Sequence, residues 1–70
     1  MITLEQISKR IAEAIRQSGL SQTAIAKQVG VCQQAISSYL HGSKLPALDT
    51  LANLCAVLDL DPAYILCLTN

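Results

Sequence analysis

Seventy residues, 51% of them apolar, with five basic and five acidic side chains and zero formal net charge, leave room for one small domain and are too hydrophobic for a disordered chain. No apolar run nears the ~20 residues of a membrane span and the opening MITLEQISKR lacks the order of a signal peptide, so a soluble, cytoplasmic protein off the membrane is expected. Zero net charge also argues against strong non-specific binding to nucleic acid.

A first helix is predicted from Thr3, where TLEQ has the form of a capping box between Thr3 and Gln6. Leu4, Ile7, Ile11, Ala14, Ile15 and Ser18 follow at helical spacing on one face, and Gly19 stands where a terminating glycine belongs. Ser21 is a suitable N-cap for a second helix, QTAIAKQV, with Ile25, Ala26 and Val29 inward and Gly30 at its end. A tight turn leads into a third helix that stops at Gly42, and SKLPA is a loop. The fourth helix runs from about Leu48 to Leu58 with Leu48, Leu51, Cys55 and Leu58 on one face, and Asp49 in its first turn suits the helix dipole. Asp61 and Pro62 then open a short fifth helix, PAYILCL. Nothing alternates like a strand, so the expected fold is all-α: five helices around one core, residues 1–70 forming a single domain.

Cys32, Cys55 and Cys67 make an odd set without a CxxC pair, and the lone His41 cannot complete a metal site with them. They read as reduced, small apolar residues. No catalytic constellation, metal, cofactor or small-molecule ligand is indicated, and an enzyme is not expected. The acids are Glu5, Glu13, Asp49, Asp59 and Asp61, so the interval holding Arg16, Lys27 and Lys44 has none and is weakly positive.

The third helix carries the most informative pattern. In VCQQAISSYLHG, Gln33, Ser37, His41, Gln34 and Ser38 fall within an arc of roughly 140° at 100° per residue, without one formal charge. Val31, Ala35, Tyr39, Cys32, Ile36 and Leu40 fill the rest of the circle. Ordinary solvated helix surface favours Lys and Glu. A face of neutral donors and acceptors is suited to other hydrogen-bonding edges.

Two helices joined by a tight glycine turn, the second with such a face, have the pattern of a helix-turn-helix over about residues 21–40. The ordered landmarks LSQ (20–22), Ile25–Ala26, VGV (29–31), Ile36–Ser37, Gly42, Pro46, Leu51, Leu58 and YIL (64–66) resemble the phage repressor and Cro-type helix-turn-helix family, the XRE family, across about Arg10 to Leu66. The resemblance implies a lambda-repressor-like five-helix domain that binds double-stranded DNA, commonly as a homodimer on a palindromic operator, and acts as a transcriptional repressor. By position it makes Gln33, Gln34 and Ser38 base readers with Ser37 a helper, and assigns phosphate contacts to Gln22, Lys27, Ser43 and Lys44. Glutamine can pair with adenine N6 and N7, and serine serves several bases.

A rival reading keeps the fold but makes it a protein-interaction module with little DNA binding, as in an antitoxin-like partner binder. Self-association is expected near Ile65, Leu66 and Leu68 in the apolar tail YILCLTN. Ile15 and Leu40 stand where many members of the family place an arginine and a glutamate, and an apolar pair can replace an ion pair there without loss. Cys32 and Ala47 stand where a hydroxyl cap is usual, which weakens the starts of the third and fourth helices.

Overall fold

The computed structural model describes residues 1–69, and Asn70, the end of the apolar tail, lies outside the described residues. The chain folds as α1 (Leu4–Gln17), α2 (Gln22–Val29), α3 (Gln33–His41), α4 (Leu48–Leu58) and α5 (Pro62–Ile65), with no strand among the described residues. α3 packs on α1 and α2, α4 packs on α2, and α5 returns to α1. No described helix is long and apolar enough to cross a membrane.

Local chemistry sets the helix ends. The Gln6 N–H donates to Thr3 Oγ1 (3.3 Å) and the Thr3 N–H donates to Gln6 Oε1 (2.9 Å), completing the capping box of α1. Ser21 accepts from the Ala24 N–H and Asp61 from the Ala63 N–H. Cys32 and Ala47 cap α3 and α4 without any side-chain hydrogen bond, as their chemistry requires. Gly42 closes α3 at φ +75°, a left-handed conformation in which a side chain is strained, and a Cβ there would lie 3.2 Å from Ser8 Oγ. α1 therefore approaches the end of α3 closely and fixes where the following loop leaves.

Ile11, Ile15, Ile25, Ala26, Val29, Ile36, Tyr39, Leu54, Cys55 and Ile65 form one core, to which all five helices contribute. Among the described residues no polar or charged side chain is buried. Several expected positions differ. Leu4, in the first position of α1, is 68% exposed, and Leu48, in the first position of α4, is 86% exposed. The inward face of α4 centres between Leu54 and Cys55, which leaves Leu48 at its edge. Leu54, absent from the predicted face, is 1% exposed.

The fifth helix ends at Ile65 rather than running through Leu68, because Cys67 adopts a left-handed φ of +63° and the Leu68 N–H turns back to the Ala63 carbonyl. Ile65 is 1% exposed and belongs to the core, so it is not available for self-association. Cys32 lies exposed at its helix start instead of packing as a small apolar residue. All three cysteines are free thiols.

The far end of the chain is tied to α1 through Arg10. Its Nη1 donates to the carbonyl oxygens of Tyr64 (2.6 Å) and Thr69 (2.9 Å), and the guanidinium carbon sits 4.2 Å from the centre of the Tyr64 ring. Nothing in the spacing of α1 signals this role.

Burial, and secondarily the Asp61 carboxylate, pushes the Cys55 thiol above its ordinary 9.0. Below pH 9.0 the thiol is protonated in folded and unfolded chains alike, and its contribution to stability is complete. As the pH rises above 9.0 the unfolded chain ionises first, and stability falls until the folded thiol also titrates. The melting temperature should therefore decline between pH 9.0 and the raised folded value more steeply for the wild type than for Cys55→Ala. Equal slopes in the two proteins would contradict this account.

Candidate nucleic-acid interface

Each helix of the α2–turn–α3 pair turns its apolar side to the core and leaves a polar side exposed. Ile25, Ala26 and Val29 hold α2, while Ile36 and Tyr39 hold α3. With Ile36 fully buried, Gln33 and Gln34 are exposed and Ser37 and Ser38 half-buried, spread over the arc that runs from the flank of Ile36 to the far side of the helix. The neutral arc read from the sequence is thus a single accessible face.

Gln22 opens α2 and Gln33 opens α3, and the turn brings the two together: Gln33 Nε2 donates to Gln22 Oε1 at 2.7 Å. This bond uses one of the two Gln33 N–H groups and leaves its carbonyl oxygen free. It also leaves both N–H groups of Gln22 free. A flexible side chain is thereby held at the leading edge of α3 with a donor and an acceptor still open, which lowers the entropy lost on meeting a ligand. Since Cys32 supplies no side-chain cap, the first N–H groups of α3 are not taken by a side-chain acceptor at that edge.

At the other end of α3, His41 Nδ1 lies 2.8 Å from the Ser37 carbonyl oxygen and 3.4 Å from Ser37 Oγ. The ring is thus turned onto its own helix. Ser43 N–H and Ser43 Oγ both donate to the Ser38 carbonyl, at 3.0 and 3.3 Å, so the serine finishes α3 and its hydroxyl proton is engaged within the chain. Lys44 is exposed and shares an open groove with Glu5, Arg16 and Leu40, where the loop passes α1.

The structure therefore joins Gln22 to Gln33, Ser37 to His41 and Ser38 to Ser43. It does not join Lys27 to this set. Lys27 is exposed in the last turn of α2, five residues beyond Gln22 and about 140° around the helix from it. Two exposed residues beside the paired glutamines, Thr23 and Cys32, were not singled out as contacts. Their only signal in the sequence is adjacency to Gln22 and Gln33.

A helix-turn-helix family model matches residues 11–65, from within α1 to the end of α5. Comparison with curated proteins and with solved structures returned no match.

Proposed function

Because the chain belongs to the phage repressor and Cro-type helix-turn-helix family, whose members are DNA-binding regulators, we propose that residues 1–70 form one domain that binds double-stranded DNA sequence-specifically and represses transcription. α3 enters the major groove, and Gln33, Gln34 and Ser38, aided by Ser37, read base edges. Two copies bind a palindromic operator in the cytoplasm.

The Gln22–Gln33 hydrogen bond carries this reading. Gln33 keeps one N–H and its carbonyl oxygen, the pair of groups that adenine N7 and N6 require. Gln22 keeps its amide N–H groups for a phosphate oxygen, beside the N-terminal dipole of α2. One bond thus couples a backbone contact to a base contact. Gln34 and Ser38 extend the same edge along the groove. Lys27 and Lys44 supply charge to phosphates. Ser43 joins them by releasing its hydroxyl from the Ser38 carbonyl. Specificity resides in the neutral face and affinity in the few cations around it.

Zero net charge favours a second reading, in which the same fold binds a protein partner and DNA hardly at all. Electrophoretic shifts on duplexes selected from a random pool, at low and moderate salt, separate the two. Lys44→Ala should weaken binding to every duplex about equally and make the dependence of log affinity on log salt shallower by about one unit. An unchanged salt slope removes Lys44 from the phosphate contacts. Failure of the wild type to retain any duplex at low salt removes the DNA-binding reading.

A further inference from the structure

We infer that His41 is a further DNA-contacting residue, an inference that rests on the DNA-binding reading above. Its imidazole takes up a proton as it meets a phosphate, so the protein binds duplex DNA more tightly on the acid side of neutrality.

The bond that the ring already makes decides what it can offer. His41 Nδ1 lies 2.8 Å from the Ser37 carbonyl oxygen, which can only accept, so Nδ1 carries a proton and donates it. In the neutral ring Nε2 is then left with a lone pair. The two nitrogens lie on opposite edges of the ring, so Nε2 is directed away from the helix backbone, and the residue is exposed. A lone pair so placed repels a phosphate oxygen. One added proton turns it into a charged N–H donor, and the ring need not move because its bond to Ser37 is kept.

The position along α3 brings that nitrogen to the edge of the duplex. Gln33 begins α3 and His41 ends it, a helix of nine residues, so the two stand about 12 Å apart along the axis. They share the neutral arc, about 80° apart around it. The major groove is about 12 Å wide. With the first turn of α3 on base edges, its last turn therefore reaches the rim of the groove, where the phosphates stand. Ser43 and Lys44, the proposed phosphate contacts, follow directly in the chain. The C-terminal end of a helix also carries about half a negative charge, which repels a phosphate and which an imidazolium offsets.

The charged groups facing the ring come from α1, with Glu5, Lys9, Glu13 and Arg16, and from the loop, with Lys44, around the one groove that His41 lines. α2 and α4 contribute no residue to it, and α3 has no other charged side chain. Two carboxylates and three cations nearly balance, so the duplex phosphates are the charge that decides. His41 is also the one histidine of the chain. Histidine is the side chain that ordinarily ionises between about pH 5 and pH 8, so a proton taken up on binding in that interval is traced to this residue.

The test is a set of binding titrations on a duplex selected with the wild type at about pH 5.5, repeated at about pH 8. The wild type should bind about tenfold more tightly at the lower pH, with a salt slope steeper there by about one unit. His41→Gln keeps every other titrating group and should bind about equally at both, near the weaker wild-type affinity. His41→Arg, charged throughout, should hold the tighter affinity at both. A histidine that only caps the end of α3 would give neither result.

Proton spectra supply a second readout. The pH midpoint of the His41 ring signals should rise by about one when the duplex is bound, the linked counterpart of a tenfold change in affinity. Equal wild-type affinity at both pH values, an unmoved midpoint, or a pH dependence that persists in His41→Gln each overturns the inference and leaves the DNA-binding reading intact. Failure of the wild type to bind any duplex at either pH removes both.

Discussion

Ile36→Ala is expected to cost about 2–5 kcal/mol, as core truncations of this size do. Ile36 is 0% exposed and sits on the inward side of α3, the helix that packs on both α1 and α2. Removing three methyl(ene) carbons there opens a void shared by three helices, and neighbours already close-packed can only partly fill it. A core this small rarely supplies more than about 3–5 kcal/mol in total, so the variant should be substantially unfolded at 37 °C. Leu40→Ala, on the same helix but half-buried beside the α1 groove, should lose less. Thermal melts followed by circular dichroism rank the two. Should Ile36→Ala melt with the wild type, the packing of α3 described above is wrong.

Gln33→Ala and Gln34→Ala should each weaken binding to the preferred duplex by about 1–3 kcal/mol and leave binding to scrambled DNA nearly unchanged. Neither substitution removes charge, so neither should alter the salt slope. Both residues are exposed, and replacing them should leave the melting temperature within a few degrees of wild type. Lost affinity could not then be ascribed to unfolding. Gln33→Ala has a further consequence: Gln22 loses the donor that holds it, so Gln22→Ala and Gln33→Ala should be non-additive in a double-mutant cycle. Titrations on preferred and scrambled duplexes at two salt concentrations measure all of this. If both single variants bind the preferred duplex as tightly as wild type, α3 does not read bases.

The helices and their ends were legible because they follow from local rules. Thr3 with Gln6, Ser21, Asp61 with Pro62, and the three left-handed glycines act within a few residues of where they stand. Burial was legible where a face was met along its length, as for Ile11, Ile15, Ile25 and Ile36. It was not legible at Leu4 and Leu48, the first residues of α1 and α4.

The neutral arc of α3 was visible as a helical projection. The Gln22–Gln33 bond was not, because it depends on the angle at which α2 and α3 meet. The inward turn of the Ser43 hydroxyl and the clamp by Arg10 depend likewise on tertiary geometry that no spacing encodes. Cys32 shows a different limit: composition made it a small apolar residue, but its place before the first turn of α3 leaves it in solvent.

The clamp by Arg10 divides the molecule by how readily its parts open. Its two hydrogen bonds span 54 and 59 residues, and both end on backbone carbonyls. Closing a loop that long is entropically unfavourable, and a helix of four residues such as α5 has no stability of its own. Held by one arginine and the burial of Ile65, the segment from Pro62 to Thr69 forms the part of the fold most prone to detach on its own. The α2–α3 unit is closed by short-range contacts and need not follow it. Brief excursions of the tail would then expose its amides to exchange with solvent while α3 keeps its folded shape.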